Sequence, residues 1–197
     1  LKLVLASANP GKLREITALL QDADVVAQSA LGITEAEEPH ATFLENALAK
    51  ARHASRAARL PALADDSGLC VEALGGEPGV HSAYYAGRQG GREERDARNN
   101  ERLLRELGAE RAAYYVCVMV LLRHADDPRP LVAEGVWRGE IARTPRGSNG
   151  FGYDPLFYLP ELGRTAAELE AGHKNRISHR GMALQRLLAL LRESGAR

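Results

Sequence analysis

Apolar and polar positions along the chain switch between a period of two and a period near 3.6, which predicts alternating strands and helices. "LKLVLA" (1–6) predicts a strand, and "GKLREITALLQ" (11–21) places Leu13, Ile16, Leu19 and Leu20 at helical spacing, so the chain opens with an α/β unit. "DVVAQ" (24–28) predicts a second strand. Thr42 and Glu45 carry the signature of a capping box for a helix to about Arg59, with Phe43, Ala47, Leu48 and Ala51 on one face. A strand through "LPALADD" follows. Ser67-Gly68 is expected to break it, with pairing resuming near "LCVEAL" (69–74).

Beyond the Gly-Pro-rich loop "GGEPGV", a charged helix is expected from about Arg92 to Leu107, then a buried strand at "AAYYVCVMVLL" (112–122). "LVAEGVWRGEIA" (131–142) comes after only "HADDPRP", too short for a crossover helix, so an antiparallel partner and a mixed sheet are expected. The loop "RGSNGFGYDPLFYLPE" leads to a last amphipathic helix whose core face holds Met182, Leu184, Leu187, Leu188 and Leu191. The fold class expected is α/β, a mixed central sheet flanked by helices. No internal repeat or low-complexity segment interrupts the pattern.

A length of 197 residues suits one domain, or two lobes sharing a core, and needs no covalent staple. Cys70 and Cys117 lie in apolar segments without a C-x-x-C pairing, which predicts reduced core thiols. The longest apolar run is too short to cross a bilayer as a helix, for which about 20 residues are needed. "LKLVLAS" lacks the pattern of a signal peptide, so the expected compartment is the cytoplasm. Twenty-six basic residues balance twenty-six acidic ones, leaving no overall field for a nucleic-acid backbone. The one stretch that could serve an RNA- or DNA-binding reading, "RQGGREERDARNNERLLREL", mixes signs and has no aromatic platform.

Candidate chemistry centres on "ADDSG". Successive strand residues face opposite sides, so Asp65 and Asp66 cannot both enter one site, and one of them is expected to be structural. Asp66, nearer the expected loop end, is the stronger candidate for the working carboxylate. "DDSG" alone reads equally as a surface turn, and its apolar flanks favour a core strand. "SANPGK" (7–12) runs from a strand into a helix, where backbone N–H groups and Lys12 could cradle an anion; alone it reads as a Pro-Gly turn. Lys50, Lys174, His179 and Arg180 supply further cations, with Ser178 placed to cap the last helix. Glu35, Glu37 and Glu38 could add a second carboxylate for a hard ion such as Mg²⁺. No G-x-S-x-G elbow, H-E-x-x-H or His/Cys cluster points to a serine hydrolase or a zinc enzyme.

In their order, "SANPGKLRE", "TFLENALAKA", "ADDSGL", "GGEPGVHSAYYAG", "GFGYDP" and "SHRG" resemble the inosine triphosphate pyrophosphatases, the Ham1-like family, over nearly the whole chain. The resemblance implies two lobes around a long central cleft, a homodimer, and Mg²⁺-dependent hydrolysis of ITP, dITP and XTP to the monophosphate and pyrophosphate. It implies Asp66 as proton acceptor and metal ligand, Glu38 as its metal partner, and Ser67 beside the substrate. Ser7, Ala8, Asn9, Pro10, Gly11 and Lys12, with Lys50, would hold phosphates. Phe151, Gly152, Tyr153 and Asp154 would line the nucleoside pocket, with Lys174 near the substrate and His179 and Arg180 reading the base. Ser7 stands where many members carry Thr, and Asn149 where Gly is common. A nucleotide-binding module without catalysis is the alternative reading of the same cations.

Overall fold

The computed structural model describes residues 2–20 and 23–195. Gln21, the expected end of the first helix, lies outside the described residues. Seven strands form one sheet in the order β2-β1-β3-β4-β5-β6-β7: β1 Lys2–Leu5, β2 Asp24–Ala27, β3 Ala62–Val71, β4 Ala112–Leu122, β5 Leu131–Ile141, β6 Phe157–Leu159 and β7 Arg164–Thr165. β1 pairs in parallel with β2 and β3, and β6 pairs antiparallel with β5 and β7, so the sheet is mixed as expected. The helices are α1 Pro10–Leu19, α2 Phe43–Ala58, α3 Arg92–Glu106, α4 Ala171–Ile177 and α5 His179–Glu193. Among the described residues no helix is long and apolar enough to cross a membrane.

By compactness the chain divides into two units, the first made of residues 1–66, 117–135 and 178–197 and the second of 67–116 and 136–177. In the first, the pleat sorts the core into two layers. Leu3, Leu5, Leu63, Met119 and Leu121 share one cluster with Ile16 of α1 and Leu184 and Leu187 of α5. Val4, Ala6, Ala62, Ala64, Val120 and Leu122 share another with Ala47, Ala51 and Ala54 of α2. Each fully buried leucine contributes roughly 1.5–3 kcal/mol, so the leucine-rich layer stabilises this unit most. In the second unit Tyr115, Trp137 and Phe157 pack as an aromatic group, with ring centroids 4.6 to 6.4 Å apart.

Three expectations need correction. Ser67-Gly68 does not break the strand: β3 runs unbroken from Ala62 to Val71 and ends in a 3₁₀ turn at Glu72–Leu74. β1 pairs with β3 only at Ala62 and Leu63, so the continuation through Ser67-Gly68 belongs with its other neighbour, β4, and sheet pairing there outweighs the local turn preference of Ser and Gly. The Gly- and aromatic-rich loop (146–161) contains β6, β7 follows it, and the segment before Ser178 contains α4. These elements, of three, two and seven residues, are too short for periodicity to register.

Gly135 on β5 fixes where α5 starts. A Cβ there would lie 2.0 Å from the His179 carbonyl oxygen and 2.7 Å from the Ala183 amide nitrogen, both backbone atoms that cannot swing aside. Gly135→Ala should therefore lower unfolding free energy by about 3 kcal/mol, at the upper end of ordinary overpacking. Gly108→Ala, where a Cβ meets nothing within 4 Å, should change it little. Urea titration of both variants checks the contrast.

Candidate active site

The pleat of β3 sends its two carboxylates to the two core layers. Asp65 joins the α1/α5 side, where its Oδ2 lies 2.9 Å from Lys12 Nζ and 3.4 Å from an Arg180 nitrogen. The Cys117 thiol, 3.9 Å away, points at the same oxygen. Asp66 joins the α2 side, where Oδ1 lies 3.0 Å from Lys50 Nζ and Oδ2 accepts from Asn46 Nδ2 at 3.3 Å.

Local sequence explains why the cations arrive there. Asn9 caps α1, its Oδ1 accepting from the amides of Gly11 and Lys12 at 2.9 and 3.1 Å, and Pro10 occupies the first turn. Ser7 Oγ accepts from the Asn9 amide at 3.2 Å, a contact that a threonine hydroxyl could make equally. Lys12 thus leaves the first turn beside the end of β1. Thr42 caps α2 by accepting from the Glu45 amide, and its hydroxyl donates to the Glu45 carboxylate at 2.6 Å, so the expected box closes through side chains. Asn46 and Lys50, one turn apart, share the α2 face toward Asp66. Of the three upstream glutamates it is Glu38 that reaches Lys50, at 2.5 Å.

Burial alone would push both aspartates up, and their partners separate them. Lys12, Arg180 and Lys50 outweigh burial at Asp65 and hold it well below the usual carboxylate range. At Asp66 burial prevails over Lys50 and Lys12, with Glu38 adding to it, and the carboxyl is held above its ordinary value. Burial disfavours the Lys50 ammonium, but Asp66, Asp65 and Glu38 outweigh it and raise its pKa. Burial, with the Asp65 charge beside it, pushes the Cys117 thiol up to about 12, so it is no thiolate nucleophile at neutral pH. Both cysteines are free and buried, as expected.

Arg180 was expected to read a base. Its guanidinium lies within the first unit: it is 2% exposed, pairs with Glu15 of α1 and approaches Asp65 at 3.4 Å. His179, also buried, opens α5, and Ser178 caps that helix by accepting from the Gly181 amide at 3.2 Å.

In the second unit, Asp154 accepts from Lys174 Nζ at 2.5 Å and from the Phe151 amide at 2.8 Å, while Tyr153 donates its hydroxyl to the Ser82 carbonyl at 2.8 Å. Tyr153, Asp154 and Lys174 are all buried, and they set the loop that presents Phe151 and Gly152. Gly150 is required there, with φ +74° and the Asp154 carboxylate 2.0 Å from where a Cβ would stand. Asn149, in place of the common Gly, ties its side chain to the Leu169 carbonyl at 3.0 Å. Ser67, partly buried, is the first β3 residue of this unit.

Glu15, Asn46, Asp96 and Asn100 were not singled out in the sequence. The signal was spacing: Glu15 lies three residues after Lys12, Asn46 four before Lys50, and Arg92, Asp96 and Asn100 recur every four residues on α3. On α3, Arg102 pairs with Glu106, and Arg95 and Arg98 donate to backbone carbonyls.

Among the described residues no three His, Cys, Asp or Glu side chains gather as a metal cage. Glu38 and Asp66 nevertheless converge on one ammonium. Such a pair fits Mg²⁺, which is commonly bound through one or two carboxylates and completes its shell with water and phosphate oxygens.

An α/β sheet that carries Asp66 with Lys50 and Glu38 on one face, and Lys12 at the capped start of α1 on the other, makes a candidate site for an anionic ligand. The chain belongs to the Ham1 family, whose model matches residues 3–190. It is 63% identical over 196 residues to the dITP/XTP pyrophosphatase of Burkholderia pseudomallei, covering 98% of this chain and 94% of that protein. It is equally 63% identical to the dITP/XTP pyrophosphatase of Ralstonia nicotianae, covering 97% and 96%. Among solved structures, a HAM1 protein from Coxiella burnetii superposes with a TM-score of 0.89 at 48% identity, covering 98% of this chain and 99% of that one.

Removing Arg180 strips a fully buried carboxylate, Asp65, and a part-buried one, Glu15, of a partner. Arg180→Ala should lower unfolding free energy by about 3–5 kcal/mol. Arg56→Ala, at an exposed ion pair with Asp126, should cost at most about 1 kcal/mol. Chemical denaturation of both proteins reads the difference.

Proposed function

We propose that this chain is a dITP/XTP pyrophosphatase that hydrolyses ITP, dITP and XTP to the nucleoside monophosphate and pyrophosphate, so removing deaminated purine nucleotides. The observation that carries the mechanism is the setting of Asp66: buried, gripped by Asn46 and Lys50, and sharing that lysine with Glu38. The names of its close relatives support the substrate class.

A nucleoside triphosphate carries about four negative charges, and phosphoryl transfer depends on positioning and charge neutralisation. Lys12 and the amide-lined start of α1 would hold phosphate oxygens, and Lys50 would balance charge at the reacting phosphorus. Glu38 and Asp66 would hold Mg²⁺, which when bound polarises the phosphate oxygens and weakens the bond to the leaving group. Asp66 takes the proton of the attacking water. Its raised pKa suits that task, since a more basic carboxylate accepts a proton more readily. The water oxygen bonds to the α-phosphorus, the bond to the bridging oxygen breaks, and pyrophosphate leaves with the electron pair. Phe151 offers the base an aromatic face. The family resemblance supports one domain, a cytoplasmic setting and a homodimer, which light scattering on the purified protein would read.

Pyrophosphate release from a panel of ITP, dITP, XTP, ATP and GTP tests the reading, with the deaminated nucleotides expected to be strongly preferred. Asp66→Asn should lower kcat by at least about a thousandfold while nucleotide still binds by calorimetry. Normal turnover in that variant would exclude Asp66 as the base. Chelation should abolish activity, with Mg²⁺ restoring it fully and Mn²⁺ in part.

A further inference from the structure

Helix α3 places Arg92, Asp96 and Asn100 on one face, and all three reach the loop that presents Phe151. Asp96 accepts from the Gly152 amide at 3.0 Å, and Asn100 Nδ2 donates to the Gly152 carbonyl at 2.9 Å, so the residue next to Phe151 is held through both its backbone polar groups. Arg92 goes further: its guanidinium carbon stands 4.8 Å from the centroid of the Phe151 ring. On the same ring Lys174 Nζ lies 5.0 Å from the centroid, tied to Asp154.

A guanidinium is a flat, delocalised cation that stacks on aromatic faces, and a purine is a flat π-system that seeks the same surface. We propose that Arg92 is a specificity-determining residue that occupies the stacking surface of Phe151 until a base replaces it, and that rewards replacement only by a base with an acceptor at its edge. This rests on the nucleotide function proposed above, which assigns Phe151 to the base.

The geometry allows the exchange. The Arg92 side chain is 31% exposed, so its charge can move toward water without being buried on the way. Asp96, one helical turn on and 3.9 Å from Arg92 Nε, keeps the displaced group at the rim of the loop. There the guanidinium offers donors and no acceptor. Hypoxanthine and xanthine present a carbonyl where adenine presents an amine, so the displaced arginine gains a charge-assisted hydrogen bond from the first two and nothing from the third. Adenine nucleotides bear the cost of displacement uncompensated. An exposed cation–π contact corresponds to roughly two- to five-fold in affinity.

Arg92→Ala and Arg92→Lys, each assayed with ITP and ATP, test this. In Arg92→Ala the KM for ATP should fall about two- to five-fold while that for ITP stays the same, lowering the ITP-over-ATP ratio of kcat/KM by the same two- to five-fold. Arg92→Lys keeps the charge but lacks the flat fork, and should lower the ratio by a smaller factor. Melting temperatures near wild type are expected, since the side chain is part-exposed. A ratio within two-fold of wild type in both variants overturns the inference, as does a ratio that falls through lost ITP turnover alone with the ATP KM unchanged. Absence of pyrophosphate release from ITP by the wild-type protein is a separate result, and it overturns the nucleotide reading on which the inference stands.

Discussion

The pleat of one strand governs the chemistry of the first unit. Adjacent residues of β3 face opposite layers, so two neighbouring carboxylates acquire separate sets of partners. Asp65 meets Lys12 and Arg180, while Asp66 meets Lys50 and Asn46. The separation is electrostatic as well as geometric. Asp65 is held ionised by cations that outweigh its burial, whereas Asp66 keeps the upward pressure of burial. Two carboxylates pushed apart in this way can divide the work, one as a fixed charge and the other as a proton acceptor.

Asp65 is therefore more than a bystander facing the wrong way. On its side of the sheet, Glu15 and Asp65 oppose Lys12 and Arg180, two negative groups against two positive. A balanced set is the form in which buried charge is tolerable, because each ion's lost hydration is offset only by partners in contact. Lys12 and Glu15 each leave 13% of their side chain accessible, against 2% for Arg180 and 0% for Asp65, so Lys12 is the cation of the set best able to turn toward a phosphate.

How much of this was legible depended on the length over which a residue's environment is decided. The large elements declared themselves: α2 begins after Thr42 and β4 spans residues 112–122 as the pattern predicts. Ser67-Gly68 misled, because turn preference is local and the pairing of a central strand is not. Asp66 could be named because its apolar flanks mark a core strand, whereas the choice of Glu38 among three glutamates and the roles of Lys12 and Lys50 came from the family resemblance, and the structure brings Glu38, Lys50 and Asp66 together. The pairing of Arg180 was not legible, for a different reason. Its partner Glu15 is 165 residues away, and no spacing rule connects the first helix to the last.

Asn46 shows what such a site needs beyond its charged groups. Its side chain accepts from the His40 amide at 3.1 Å, and its Nδ2 donates to the His40 carbonyl at 3.2 Å and to Asp66 at 3.3 Å. One buried amide thus anchors the segment that carries Glu38, two residues before His40, to the helix that carries Lys50 and the strand that carries Asp66. An acidic loop left to itself would be solvated and mobile, and its carboxylate would pay ordering entropy each time a cation bound. Fixing the loop from its neutral end removes much of that cost without adding charge to the site. A neutral side chain with both a donor and an acceptor is what the position calls for: an aspartate there would repel Asp66, and a leucine would leave the His40 amide unpaired.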